Sequence, residues 1–310
     1  MINISSKKTV KRRVIDVFIF FNELDLLELR FRTLYDVVDY FIITECTETF
    51  SGKQKSMAFA ENRARFQDFE DKIIYNPISS RDLELLCDSK WTDYRTDLNR
   101  SLPYKHGGRP AKRLHSSVLR EISHRDAGVL ALSKIAMPND LILLSDVDEI
   151  PNPSIVKSIS ISGVLQPCYF QMEWSLYWIN NRVDAPWLGT VAFSYKMLQG
   201  LSLDMMRYGS SDIVNAPGPV IKNGGWHFSY LGGSEAISTK LKALPYQGMR
   251  AGVAKFLNLF RRKKWQVMLN RNTDLLMQNR TLYFVPLDES FPEAIFHIPN
   301  FIKNYAKSRE

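Results

Sequence analysis

The stretch Leu141-Ile142-Leu143-Leu144-Ser145-Asp146-Val147-Asp148-Glu149-Ile150-Pro151 decides how this chain is read. Four consecutive aliphatic residues mark a strand buried on both faces, as in a parallel sheet. The run ends in three carboxylates and a proline. Three acids at the end of a buried strand repel one another and lose hydration unless a cation or a ligand offsets them. Ligands of open α/β sheets bind at the carboxyl ends of strands, where this turn falls. Strand alternation would put Asp146 and Asp148 on one side, within reach of one hard cation, Mg2+ or Mn2+. Such a cation would hold two phosphates of a nucleotide diphosphate and stabilise charge on the leaving group. A bare D-x-D is more often a solvated loop with an acid capping the next helix. The strand before this one and the proline after it favour the metal-site reading.

Outward from the turn, the pattern is that of an α/β protein. Residues 14–21 form a β-branched and aromatic strand, Asn22 an N-cap, and residues 23–34 a helix with leucines at 24, 27 and 34. Residues 37–44 and 72–75 follow as strands, and a strand-helix-strand opening with short connections predicts a parallel sheet. Residues 82–108 are polar and irregular, a long surface segment. Residues 116–135 return to helical spacing. Beyond Pro153 the stretches 169–178, 190–198 and 226–230 read as aromatic strands of a more antiparallel kind, and 234–244 and 254–269 as helices. The predicted fold is a Rossmann-like α/β domain over 14–245, with a mostly parallel central sheet. It has a nucleotide-sugar half at 14–152 and a mixed acceptor half at 153–245. A basic arm (1–13) precedes the domain and a basic helical extension (246–310) packs on it.

The 310 residues suffice for a full core, and 45% hydrophobic with 24% charged residues is ordinary for a globular chain. Three scattered cysteines without C-x-x-C spacing point away from a disulfide framework or a zinc knot and toward a reducing compartment. No signal-peptide pattern and no run of roughly 18 apolar residues is found, so the sequence predicts a cytoplasmic enzyme. The net charge of +8 is uneven. Between Glu235 and Asp274 there are nine basic residues and no acidic one. Within this span the segment 255–265 (KFLNLFRRKKW) has the aromatic and basic spacing of an interfacial helix, which predicts peripheral contact with an anionic membrane. The alternatives are a solvated helix face or a nucleic-acid partner, but no nucleic-acid reader motif is present.

Phosphatases of the haloacid dehalogenase class also place D-x-D after an apolar strand. They need a later paired acidic motif, and here Asp184, Asp204, Asp212 and Asp274 are isolated. Five segments instead resemble glycosyltransferase family 17, which includes enzymes that add the bisecting N-acetylglucosamine to N-glycans. They are 17–30 (VFIFFNELDLLELR), 41–53 (FIITECTETFSGK), Arg120-Glu121 with Arg125, 140–151 (DLILLSDVDEIP), and 224–230 (GGWHFSY) followed by Glu235. The resemblance implies a GT-A fold, a UDP-sugar donor such as UDP-N-acetylglucosamine, a glycan or lipid-linked glycan acceptor, and inversion at the anomeric carbon. Vertebrate members of the family carry a membrane anchor, which this sequence is not expected to have.

Inverting transfer needs a clamp on the diphosphate and a general base for the acceptor hydroxyl. Asp146, Asp148 and, by the resemblance, His227 are the expected metal ligands. Phe21, Asn22, Glu23, Glu45 and Thr47 follow the first two strands, facing the crevice where a nucleoside would lie. Arg120 and Arg125 can reach a diphosphate as guanidinium forks or pair with Glu121 and Asp126. Glu235, Glu173 and Glu149 are the candidate bases. Trp174, Tyr177, Trp178 and Trp187 suit either sugar stacking or a core.

Overall fold

The computed structural model describes residues 11–83, 105–106, 109–110, 116–198, 202–208, 218–243, 272 and 280–307. The central-sheet strands of its N-terminal half all run parallel, and residues 105–106 and 109–110 form a separate antiparallel pair. Strand β1 (Val14–Phe20) leads through helix α1 (Leu24–Leu34) to β2 (Tyr40–Cys46), and β3 (Ile73–Ile78) follows. Helices α2 (Ser116–Asp126) and α3 (Gly128–Ile135) precede β4 (Leu141–Asp146), which carries the acidic turn. Strand β4 pairs with β1 from Val14 opposite Leu141 to Ile19 opposite Asp146, so both strands end at the same level.

A mixed half is then added beyond β4. Strand β5 (Glu149–Pro151) and helix α4 (Pro153–Ser162) lead to β6 (Cys168–Leu176), β7 (Asn181–Val183) and β8 (Trp187–Ser194). Helix α5 (Leu203–Tyr208), β9 (Val220–Ile221), β10 (Gly225–Ser229), helix α6 (Gly233–Ala243), β11 (Leu282–Phe284) and helix α7 (Phe301–Tyr305) follow. The sheet runs β11-β7-β6-β8-β4-β1-β2-β3, with β8 antiparallel to both neighbours. Strands β9 and β10 run parallel to β6 on its other edge, and β10 pairs antiparallel with β5.

Alternation along the strands sorts the core into two faces. Val14, Phe18 and Phe20 of β1 pack with Leu27, Phe31 and Leu34 of α1. Ile15 and Val17 pack on the other face with Leu132 of α3 and Leu203 of α5. The second face of α1, Leu26 and Leu29, is covered by Phe228, Phe291, Ile295 and Phe301. The stretch expected to be one helix over 116–135 is two. The Ala127 carbonyl accepts from Asn76 Nδ2 at 3.0 Å and from Leu130 N at 3.0 Å, which draws it out of the regular helical ladder. Likewise Asn152, not an acid of the turn, caps α4 by accepting from Ser154 N. The predicted surface segment 82–108 falls mostly outside the described residues. The helix at 254–269 and the basic segment 255–265 within it lie wholly outside them. Among the described residues no helix is long and apolar enough to cross a membrane.

Arg30 of α1 is completely buried, and its guanidinium organises the center of the fold. It pairs in two-pronged fashion with Asp16 of β1, Nη2 to Oδ1 at 2.6 Å and Nε to Oδ2 at 2.7 Å. The other donors reach Ser145 Oγ (2.5 Å) and the carbonyls of Asp146 (3.1 Å) and Glu149 (2.7 Å). The planar group also lies 4.5 Å from the center of the Phe18 ring. A buried charge is tolerable when its donors are all used in this way, and removing one partner strands the other. Arg30→Met should therefore lower stability by about 3–5 kcal/mol, read as a lowered urea midpoint. The double variant Asp16→Leu/Arg30→Met should recover part of that loss.

Candidate active site

A cavity of about 300 Å³ opens at the carboxyl ends of β1 and β4. From β1 the chain moves to β2 on one side of the sheet, while β4 adds on the other. Neighbouring strands that leave in opposite directions form the crevice where α/β proteins bind ligands. Phe21 and Glu23 follow β1, Thr44 and Cys46 end β2, Asp146 ends β4, and Val147 and Asp148 follow it; all line the cavity. His227 and Trp174 reach it because β10 pairs with both β5 and β6, which sets His227 opposite Glu149 and opposite Trp174.

The three acids of the turn have three different environments. The chain leaves extended geometry after Asp146, so a turn rather than strand alternation brings Asp146 and Asp148 to the same cavity. Asp146 accepts from Arg125 at 3.1 Å. Its enclosure works to raise its pKa, but the guanidinium groups of Arg125 and Arg207 outweigh this and hold it at about 2. Asp148 is buried and takes the Lys240 ammonium on Oδ2 at 2.7 Å. Lys240, from α6, also stands 3.4 Å from Glu23 Oε1. Burial alone would discharge this lysine; Asp148 and Glu23 keep it charged.

Glu149 is fully buried and points away from the cavity. It accepts from Trp187 Nε1 at 2.6 Å and from the Asp146 amide at 3.1 Å, and it pairs with Arg207. Burial, reinforced by Asp146 and Asp148, pushes its pKa up to about 7 against the pull of Arg207.

His227 lies between rings, 4.4 Å from Trp187 and 5.9 Å from Trp174 in a near-parallel stack. Burial lowers its pKa to about 4, so it is neutral near pH 7. Its Nε2 stands 3.7 Å from Asp148 Oδ1. A divalent ion with ligand bonds of about 2.0–2.2 Å can bridge such a gap between a carboxylate and a neutral imidazole. Asp146 is engaged by Arg125, and among the described residues no group of three or more His, Cys, Asp or Glu side chains could hold a metal. Among the described residues Asp148 and His227 are thus a pair that could share one cation, whose remaining ligands would have to be substrate oxygens or water.

Several residues expected at the site are elsewhere. Glu45 of β2 faces the side opposite Thr44 and Cys46. Its buried carboxylate accepts from Lys55, Tyr75 and the Phe59 amide, so it fastens the fold on the side away from the cavity. Thr47 and Asn22 do not line this cavity. Arg120 stands 3.6 Å from Glu48 at the rim, and Arg125 is buried against Asp204 at 2.7 Å as well as Asp146. Among the candidate bases, Glu149 is consumed by Arg207 and Trp187. Glu173 alternates with Trp174 to the outer face, its side chain 60% exposed. Glu235 is exposed in the first turn of α6 and outside the cavity. Trp174 and Trp187 line the cavity, whereas Tyr177 is core.

Sequence reasoning did not find Lys240 as a site residue, nor His124, Lys55 and Arg280, which also line the cavity. His124 is held neutral, at about 3, by burial and by Lys55, Arg125 and Arg120 around it. Arg280 lies over the Trp174 ring at 4.3 Å. These contacts are made across the sheet and leave no short-range spacing to read.

Residues 3–102 match the family model described as glycosyltransferase family 17, and that match stops short of the acidic turn. Beta-1,4-mannosyl-glycoprotein 4-beta-N-acetylglucosaminyltransferase from Rattus norvegicus is 29% identical over 173 residues, 55% of this chain and 28% of the relative. The protein of the same name from Homo sapiens matches at 29% over the same lengths. The aligned part thus spans little more than a quarter of those curated relatives. Glucosyl-3-phosphoglycerate synthase from Mycobacterium tuberculosis superposes at a TM-score of 0.33 with 11% identity, covering 92% of this chain and 91% of that one, too loosely to carry an argument. The chain is similar to glycosyltransferase family 17, as its own motifs imply.

Cys46 offers a test of the cavity wall that needs no ligand. Burial pushes its thiol up to about 11. At pH 8 only roughly one molecule in a thousand would carry the reactive thiolate. Iodoacetamide should therefore label Cys46 at least about 100-fold more slowly in the native protein than in guanidinium, followed by peptide mass spectrometry.

Proposed function

We propose that this protein is a glycosyltransferase that moves a sugar, N-acetylglucosamine by analogy with its relatives, from a UDP-sugar to a glycan acceptor with inversion. The observation that carries this reading is the convergence of Asp146, Asp148 and His227 on one cavity at the β1/β4 crevice, beside an aromatic wall of Trp174 and Trp187. The site combines acids and cations for a diphosphate with flat apolar rings for a sugar face. The similarity to glycosyltransferase family 17 supports the same activity.

On this reading the nucleoside lies toward the ends of β1 and β2, near Phe21 and Phe50, and the transferred sugar toward Trp174 and His227. Asp148 and His227 would hold a divalent cation, Mn2+ or Mg2+, which supplies positive charge beside the leaving diphosphate when bound. Lys240 adds a fixed positive charge on the same side and holds the Asp148 carboxylate in place. Arg125 holds Asp146 ionised, so that its free oxygen can accept from a ribose hydroxyl or a water at the diphosphate. The burial of His227 keeps it from charging and repelling a cation. The Trp174 and Trp187 rings exclude water from the anomeric carbon, which disfavours hydrolysis of the donor.

Thermal unfolding with a panel of nucleotide-sugars, each with Mn2+ or with EDTA, tests this reading. A bound donor at about 100 times its Kd adds roughly 2.7 kcal/mol of stability, a shift of several degrees. UDP-N-acetylglucosamine with Mn2+ should produce that shift. Asp148→Asn and His227→Ala, each compared with its own unliganded midpoint, should lose most of it. No shift with any nucleotide-sugar, or a shift unchanged in both variants, would overturn the assignment.

A further inference from the structure

A second cavity, of about 290 Å³, adjoins the first and shares Glu23, Tyr230 and Lys240 with it. Its remaining wall comes from Asn22 and the start of α1, Arg65, the residues leading into α6 with Ala236, and Tyr305 of α7. There Asp25 accepts from Arg65 at 2.6 Å and from the Tyr305 hydroxyl at 2.5 Å. These three groups are partly exposed and already paired, so they present hydrogen-bonding edges without a net charge seeking an ion. Tyr230 and Tyr305 add ring surface. Polar edges beside aromatic surface are what a neutral, polyhydroxylated ligand requires.

The carboxylates that line the first cavity are Glu23, Glu48, Glu121, Asp146 and Asp148, and of these Glu23 also lines the second. Asp148 is bound by Lys240, Asp146 by Arg125, Glu121 lies 3.4 Å from the same Arg125, and Glu48 stands by Arg120. Glu23 accepts the Asn22 amide on Oε2 at 3.1 Å and has Lys240 at 3.4 Å from Oε1. A carboxylate has about four acceptor positions, so two contacts leave room for a proton. Its side chain keeps 16% of its surface open.

We propose that the second cavity receives the acceptor saccharide and that Glu23 is the general base of the transfer. This rests on the nucleotide-sugar reading of the first cavity. The acceptor hydroxyl gives its proton to a Glu23 oxygen, and the hydroxyl oxygen forms a bond to the anomeric carbon. The bond from that carbon to the diphosphate oxygen breaks, and its electron pair leaves with the nucleoside diphosphate. Lys240, between Glu23 and Asp148, joins the base to the leaving-group side in one array. Glu23 follows β1 directly, so the strand that supports the donor also sets the position of the base.

The test uses the full chain with UDP-N-acetylglucosamine as donor and β-mannoside-terminated oligosaccharides, or water, as acceptor. Glu23→Gln should bind UDP-N-acetylglucosamine within about threefold of wild type by calorimetry, while kcat falls by about 10²–10⁴. Glu23→Asp should recover part of that loss. Tyr305→Phe should raise the acceptor KM several-fold and leave donor affinity unchanged. A Glu23→Gln enzyme with kcat within threefold of wild type would overturn the assignment. So would one that loses donor affinity, since Glu23 would then serve the donor site through Lys240. A wild type that binds the donor yet releases no UDP with any of these acceptors also overturns it. Failure of the wild type to bind any nucleotide-sugar would instead defeat the reading of the first cavity.

Discussion

One buried guanidinium holds the functional end of this protein together. Arg30 satisfies Asp16 with two hydrogen bonds and gives its remaining donors to Ser145 Oγ and the main chain of the acidic turn. The turn must present two carboxylates to a cavity with little backbone support beyond the Phe228 amide, which donates to the Asp148 carbonyl at 2.9 Å. A guanidinium can hold such a loop where an ammonium cannot, because its donors lie in a rigid plane and point several ways at once. The cost is a charge removed from water. It is offset by Asp16, Ser145, the turn carbonyls and the Phe18 ring together, and by none of them alone.

From that anchor the electrostatics of the site follow by pairing. Each acid of the turn has its own cation: Arg125 for Asp146, Lys240 for Asp148 and Arg207 for Glu149. The cations come from α2, α6 and α5, so three helices outside the central sheet tune three adjacent residues. The result is a graded set. Asp146 is firmly ionised, and Glu149 is raised by its dry surroundings. Neighbouring carboxylates driven apart in this way are a common mark of functional sites, though structural networks shift pKa values too.

Much of the fold was legible because it follows from burial patterns. The apolar runs at 14–21 and 141–144 are central parallel strands, and the acids after Leu144 open onto a cavity, as their position at a strand end required. The Gly-Gly-Trp-His segment is the strand that meets the acidic turn. What failed was side-chain direction. Glu45 and Glu173 each lie one residue from a cavity-lining neighbour, and a strand reverses its face at every residue. Their sequence surroundings give the correct element but not its facing. Glu149 was misread for a different reason: its partners, Arg207 and Trp187, come from later parts of the chain with no local signal. Lys240 was equally hidden, since in sequence it is the first member of a basic run. Glu23, expected at the crevice from its place after the first strand, lines the cavity there, and the second cavity beside it left no trace in the sequence.

The cover over the outer face of α1 has a consequence for synthesis. Leu26 and Leu29 are synthesised well before Phe291, Ile295 and Phe301, the residues that cover them. Asp25 and Tyr305, whose contact closes the second cavity, are 280 residues apart. At bacterial or eukaryotic elongation rates of about 5–20 residues per second, that apolar stripe waits on the order of 10–50 seconds for its partners. The nascent chain can assemble β1, β2 and β3 during this interval, but it carries an unfinished hydrophobic face. Completion of this face thus waits on residues 291–301, and the helix that carries Arg30 keeps an uncovered apolar stripe until they have been made.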